Sequence, residues 1–196
     1  MNDKVTGLII SAGLSSRLKG FKPLLKLPGG KSFICLIADK LSTVCDEIII
    51  VSGHKHELLS QHLESNMHQT NYRIIHNPGY REGMFSSLQA AAKEINSGWI
   101  LYHFVDQPGL PLVFYSEFIK QIDDIHNWIQ PVNIGRKGHP VLFNNPVSEL
   151  IRSAGSSLSL RDIGHSDKVV KKFWEYNSKY IFQDIDTDKD YAEMSS

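Results

Sequence analysis

The stretch Val5-Thr6-Gly7-Leu8-Ile9-Ile10-Ser11-Ala12-Gly13-Leu14-Ser15-Ser16-Arg17-Leu18-Lys19-Gly20-Phe21-Lys22 decides how the rest of the chain is read. Its first seven residues form an apolar run of strand length, which runs straight into a turn of small residues and bases. From Lys4 to Lys31 the chain holds six bases (Lys4, Arg17, Lys19, Lys22, Lys26 and Lys31) and no acid. A small-residue turn lets backbone N–H groups approach phosphate oxygens, and Arg or Lys then neutralises the polyanion. The loop is neither Gly-x-x-x-x-Gly-Lys-Ser/Thr nor Gly-x-Gly-x-x-Gly. A solvated basic loop is the competing reading, and the position at the end of a strand favours a ligand.

Downstream, apolar runs alternate with helical spacing. Glu47–Gly53, Tyr72–His76 and Trp99–Val105 read as strands. Ser32–Val44, the Leu58/Leu59/His62/Leu63 pattern, Met84–Ile95 and Leu112–Ile125 read as helices. This order predicts a three-layer α/β/α fold on a mainly parallel sheet, with ligands beyond the carboxyl ends of the strands. Beyond residue 125, short strands at Trp128–Ile134, His139–Phe143, Val169–Tyr176 and Tyr180–Asp184, with a helix near Val147–Ser153, predict a small antiparallel extension acting as a lid or platform. No linker divides the 196 residues, so the expectation is one domain over 1–196, with a nucleotide half (1–125) and an acceptor half (126–196).

Composition excludes several classes. The 21 Lys+Arg balance 21 Asp+Glu, unlike the basic footprint of a nucleic-acid binder. No apolar run approaches the roughly 18 residues of a membrane helix, and the N-terminus lacks the pattern of a signal peptide. Cys35 and Cys45 form neither a disulfide framework nor a zinc pattern, and a reducing cytoplasm is expected. The nine histidines are scattered, and Trp99, Trp128 and Trp174 read most simply as packing residues.

The segment Ser11–Lys22 resembles the Leu-Ala-Ala-Gly-x-Ser-x-Arg-Met-Gly-x-x-Lys signature of nucleoside triphosphate transferases of the GT-A type, most closely the molybdopterin cytidylyltransferase branch. Three positions depart: Ser11 replaces Ala, Leu18 replaces Met, and Lys19 stands where the family has Gly, with Gly20 one place later. Four further segments carry the likeness. Asn77-Pro78 with Glu82-Gly83-Met84-x-Ser86-Ser87-Leu88 is similar to the family's Asn…Glu/Gln-Gly-Met-x-x-Ser-Leu, although Ser86 and Ser87 would also serve to cap a surface helix. Asp106-Gln107-Pro108 closes an apolar strand where Mg²⁺ takes a carboxylate plus phosphate oxygens, or where Asp caps the next helix. Gly135-Arg136-Lys137-Gly138-His139-Pro140-Val141-Leu142-Phe143 matches Gly-x-x-Gly-His-Pro-Val-Leu-Phe, in which Arg136 and Lys137 would meet a pterin phosphate or simply line a solvated hairpin. Asp184-Ile185-Asp186-Thr187-Asp188-Lys189-Asp190-Tyr191 resembles Asp-Ile-Asp-Thr-Pro-Glu-Asp-Tyr; alternation would send Asp184 and Asp186 to one face of a closing strand, with Thr187 capping a last helix. The family's Gly-Asp-x-Gly-Ala-Arg is replaced by Ser156-Ser157-Leu158-Ser159-Leu160-Arg161, in which only the Arg survives.

The resemblance implies a nucleotidyltransferase that moves a nucleoside monophosphate from CTP, or another NTP, to the phosphate of a molybdopterin-type acceptor. Arg17, Lys22 and Asp106 would be catalytic. Ser11, Ala12, Gly13, Leu14, Ser15, Ser87 and Gln107 would join them in binding the nucleotide. Gly83, Met84, Ser86, Gly138, His139, Pro140 and Arg161 would bind the acceptor. Asp106, Asp184 and Asp186 would hold Mg²⁺. Ala12, where guanylyl-specific relatives carry Gly, implies cytidine. A client molybdoenzyme is an implied partner. The alternatives are the same fold acting with GTP or on a sugar or alcohol phosphate, and a carrier of the molybdenum cofactor without catalysis.

Overall fold

The computed structural model describes residues 4–15, 17–95 and 98–194. Its centre is β1 (Val5–Ser11), buried at every position. Parallel to it on one side run β2 (Glu47–Ser52) and then β3 (Tyr72–His76), and on the other side β4 (Trp99–Phe104). β1, β2 and β4 read as nearly unbroken apolar runs because both faces are covered, whereas the edge strand β3 is only half-buried. Ile9, Ile48 and Ile50 pack into one core with α1 (Phe33–Ser42), α2 (His56–Asn66) and α4 (Leu112–Phe118). Leu8, Ile10, Ile49 and Val51 turn to a second core with α3 (Met84–Glu94) and α5 (Asn145–Ser153).

Residues beyond 125 continue this sheet rather than form a separate lid. β7 (Val141–Asn144) pairs antiparallel with β4, and β5 (Trp128–Asn133) pairs antiparallel with β7. β5 also takes β6 (Arg136–Lys137), antiparallel, and β8 (Lys171–Glu175), parallel. The resulting mixed, mostly parallel sheet has eight strands. The short α6 (Leu160–Ile163) follows α5, and α7 (Asp188–Met194) ends the described chain.

Three expectations are corrected. Tyr180–Asp184 is not a strand: Lys179–Phe182 is a 3-10 turn, with the Ser178 side chain accepting from the Tyr180 N–H. The buried Ile181 plugs the space above Gly138, where a Cβ would stand 2.6 Å from it. The helix from Leu112 stops at Phe118, with a 3-10 turn over Ile119–Gln121; Phe114, Tyr115 and Phe118 are buried, whereas Ile125 is 75% exposed. The strand expected from His139 begins at Val141, since Pro140 has no N–H for the ladder. No helix among the described residues is long and apolar enough to cross a membrane. Cys35 and Cys45 are free, and the Cys35 Sγ lies 3.6 Å from His62 Nε2, a partner that spacing could not reveal.

Candidate functional site

β1 delivers the chain into the basic loop at the carboxyl edge of the sheet. Ser15 turns the loop in the left-handed region (φ 55°), a conformation that non-glycine residues adopt only when it is held in place. Two bonds hold it: the Leu18 N–H donates to the Ser15 carbonyl (3.2 Å), and the Lys22 N–H donates to Ser15 Oγ (3.1 Å). Lys19, which stands in place of the family's glycine, does not have positive φ, so the substitution needs no strained backbone. Its N–H donates to Asp188 Oδ1 (3.1 Å), tying the loop to the C-terminal segment. Ser16 lies outside the described residues.

The loop's bases meet the carboxylates at the end of β4 and near the C-terminus. Lys22 Nζ lies 2.7 Å from Asp186 Oδ1 and 3.4 Å from Asp106 Oδ2, and Arg17 Nη2 lies 3.0 Å from Asp186 Oδ2. The C-terminal segment is anchored here by the Ile185 N–H, which donates to the Asp106 carbonyl (2.8 Å). Asp184 and Asp186 flank buried Ile185, but they sit on no strand and serve different partners. Asp184 Oδ1 accepts from Gln107 Nε2 (2.7 Å), while Asp186 takes both bases. Lys40 fastens the segment after Asp106 to α1 by donating to the carbonyls of Pro108 and Leu110 (2.8 and 2.7 Å).

Burial pushes the Asp106 carboxyl above the ordinary carboxylate range; Lys22 opposes this, and Asp184 and Asp186 add to it. Its Oδ1 is buried without a hydrogen-bond partner. An orphaned carboxylate oxygen beside a second carboxylate suits a hard divalent cation. Among the described residues no three acidic, His or Cys side chains gather as a cage, so such a cation would complete its shell from ligand oxygens, as Mg²⁺ does.

These groups line a first cavity of about 290 Å³. Of the residues expected to hold nucleotide, Ser11, Ala12, Gly13, Leu14, Ser15, Arg17, Lys22, Ser87 and Asp106 line it, and Gln107 does not. Gln107 is buried and acts through Asp184. Tyr80 also lines the cavity and was not singled out from sequence. Its ring fits because residue 53 is Gly: a Cβ there would lie 2.6 Å from Tyr80 and 2.9 Å from the Ala12 methyl.

A second cavity, of about 500 Å³, shares Met84 and Phe104 with the first. Met84, at the start of α3, is 58% exposed and lies between the two spaces. Among the residues expected to bind the acceptor, Met84, His139 and Arg161 line this cavity, whereas Gly83, Ser86, Gly138 and Pro140 line neither. The Ser86 hydroxyl donates to the carbonyls of Gly79 and Gly83 (3.1 and 2.8 Å) and accepts from Asn77 Nδ2 (2.9 Å), so it pins the turn before α3 and does not cap the helix, which has no side-chain cap. Burial pushes His139 down to about 4, so the imidazole is neutral at physiological pH, with Nδ1 unpartnered. Arg161 is presented by α6, whose Ser159/Asp162 capping box occupies the place of the family's Gly-Asp-x-Gly-Ala-Arg. Trp128, read from sequence as packing, and Lys171 also line this space, and no local motif marks either.

The chain is 31% identical over 139 residues, 71% of its length and 69% of the relative's, to the molybdenum cofactor cytidylyltransferase of Escherichia coli. It is 23% identical to a probable molybdenum cofactor guanylyltransferase of Bacillus cytotoxicus, covering 97% of this chain and 96% of that one. In fold it is similar to the crystal structure of Rv0371c from Mycobacterium tuberculosis (TM-score 0.79, 18% identity, 97% of each chain), a protein also solved as a complex with manganese (TM-score 0.74, 16% identity, 100% and 99% covered). The family pattern matches residues 7–170, and the chain belongs to the MobA-like NTP transferase domain family.

Proposed function

We propose that this protein transfers the cytidylyl group of CTP to the phosphate of a molybdopterin-type acceptor and releases pyrophosphate. The observation that carries the reading is the contact between two cavities: one pairs the bases Arg17 and Lys22 with Asp106 and Asp186, and the other opens beside it across Met84 and Phe104. On this reading one transferase domain holds nucleotide with residues 1–125 and acceptor with residues 126–196.

When triphosphate enters, Arg17 and Lys22 exchange carboxylate partners for phosphate oxygens. Arg17, with a side chain 68% exposed, is free to swing, whereas Lys22, at 12%, is held in place. Backbone N–H groups around Gly13 and Ser15 cradle the same oxygens. An acceptor phosphate oxygen attacks the α-phosphorus in line, the bond to the β-phosphate bridging oxygen breaks, and Arg17 and Lys22 neutralise the departing pyrophosphate. Asp106 and Asp186 would hold a divalent cation, Mg²⁺ on this reading, which supplies further neutralisation and orientation of the triphosphate. The manganese complex of the mycobacterial neighbour supports a divalent metal on this fold.

The Ala12 methyl lining the nucleotide cavity supports a pyrimidine. The likeness to the Bacillus cytotoxicus protein makes guanylyl transfer the second reading. Pyrophosphate release, measured for each of the four NTPs with Mg²⁺ and molybdopterin, tests both. CTP should give the highest kcat/KM. A preference for GTP would select the second reading, and binding without release would select a carrier.

A further inference from the structure

The second cavity carries charge that the transfer step does not use. Lys137 from β6, Lys171 from β8, and Arg161 and His165 around α6 all line it, without any carboxylate among its described lining. Arg161 and His165 have Asp162 nearby. The two lysines have no such neighbour: neither forms an ion pair among the described residues. Burial lowers the Lys171 pKa, and Lys137, the one charge found to act on it, lowers it further.

Strand register explains why they share one face of the sheet. Lys171 lies opposite Trp128 and Phe173 opposite Gln130 in the β5–β8 ladder, and Lys137 lies opposite Val132 in the β5–β6 ladder. Trp128, Gln130 and Val132 alternate onto one face of β5, so Lys171, Phe173 and Lys137 rise from that face too. Each ammonium rests over a ring: Lys171 Nζ stands 5.9 Å from the centroid of Trp128, and Lys137 Nζ 4.9 Å from that of Phe173. Two cations directed into a cavity without a counterion are matched by an anion that arrives with the ligand.

That anion is not the reacting phosphate, which must reach Lys22 and Asp106, residues of the first cavity alone. Arg136, read from sequence beside Lys137 as a phosphate contact, instead lies over the Phe182 ring (4.3 Å). We propose that Lys137 and Lys171 bind a second anionic group of the acceptor, apart from the phosphate that reacts, above a flat floor that includes Trp128. The acceptor is then a flat molecule with two separate anionic ends. This inference rests on the transfer reading above for the identity of its ligand, and not for the existence of the site.

The test uses inorganic phosphate as the probe of the site and molybdopterin as the acceptor. Phosphate is titrated into the full chain with CTP and Mg²⁺ present, while the Trp128 indole N–H resonance is followed. A saturable shift is expected, lost in Lys137→Gln/Lys171→Gln and restored in Lys137→Arg/Lys171→Arg. In turnover, the Gln pair should raise the acceptor KM roughly tenfold to a hundredfold, the scale of losing one or two charge-assisted contacts, with the CTP KM unchanged. A Trp128 signal indifferent to phosphate, or equally responsive in the Gln pair, overturns the site, as does an unchanged acceptor KM. If the wild-type chain turns over no molybdopterin, the transfer reading falls, and the phosphate titration still decides the lysine site.

Discussion

The two adjoining cavities handle charge in opposite ways. In the first, every base has a carboxylate: Arg17 meets Asp186, and Lys22 bridges Asp106 and Asp186. In the second, Lys137 and Lys171 line one space, each over an aromatic ring and neither paired with a carboxylate among the described residues. A polyanion entering the first must displace internal counterions, so binding there is an exchange and the carboxylates are released to act. An anion entering the second meets cations with nothing to displace. On the proposed function, nucleotide binding would rearrange its site, whereas acceptor binding would fill one already set.

The largest effect expected from breaking this contrast is at Asp106. Asp106→Ala should lower kcat for pyrophosphate release by roughly 10²–10³-fold or more, the range for removing a group that organises transition-state charge. Circular dichroism should show an intact fold, since the Asp106 carbonyl, not its side chain, holds the Ile185 N–H. Turnover within a few-fold of wild type would remove Asp106 from the metal and phosphate chemistry.

Lys22 comes next, because it serves both the ligand and the unliganded fold. Lys22→Met leaves Asp106 and Asp186 together without their shared cation. With Lys22 only 12% exposed and Asp186 still 29% exposed, stability should fall by about 1–3 kcal/mol in urea titrations at neutral pH. CTP affinity should drop by roughly a hundredfold in calorimetry. Arg17→Met, at an exposed pair, should weaken CTP while changing stability by no more than about 1 kcal/mol. Equal stability losses for the two variants would mean that burial does not distinguish the pairs.

How much of this was legible in the chain follows from the range of each signal. β1, β2 and β4 were plain because strands covered on both faces write continuous apolar runs such as Leu8–Ile10 and Ile48–Val51. The first cavity was largely legible too, because its loop residues are contiguous and Asp106 ends a strand at the same edge. The second cavity was not. Lys171 and Trp128 are 43 positions apart in the chain (171 minus 128) and meet only through the β5–β8 register, which no local pattern encodes. Trp128 looked like packing because half of it is: it stacks near Phe143 while also lining the cavity. The segment Tyr180–Asp184 was misread because a short apolar run such as Tyr180-Ile181-Phe182 is common to a strand and to a 3-10 turn that buries one residue, Ile181.

A smaller effect tests which base the first cavity admits. The Ala12 methyl is buried at its wall, close to Tyr80 and Gly53. Ala12→Gly removes that methyl and should shift the ratio of kcat/KM for CTP over GTP toward GTP by roughly tenfold, the scale of one methyl-sized contact. An unchanged ratio would move base selection elsewhere on the wall, with Tyr80 as the next residue to change.

The smallest expected effect is the sharpest on the contrast itself, since it predicts a difference in sign. Removing Lys22 takes the partner from Asp106 and one of two from Asp186, whereas Lys171→Gln removes a cation whose charged neighbour is another cation. The desolvation and repulsion that lower its pKa both oppose holding the charge in the folded chain. The sign follows by linkage: a base with a depressed folded pKa favours the unfolded state below its unfolded pKa. Replacing the ammonium with a neutral amide removes both penalties. Partial exposure screens the gain, and the cation–π contact with Trp128 is lost at the same time. The net change should therefore lie within about 0.5 kcal/mol of zero, on the stabilising side, in urea titrations without ligand. Adding phosphate should reverse the order: the ligand stabilises the wild-type chain, which binds it, and leaves Lys171→Gln behind. A loss of more than about 1 kcal/mol without ligand would show that Lys171 has a carboxylate partner in solution, and the two cavities would then handle charge alike.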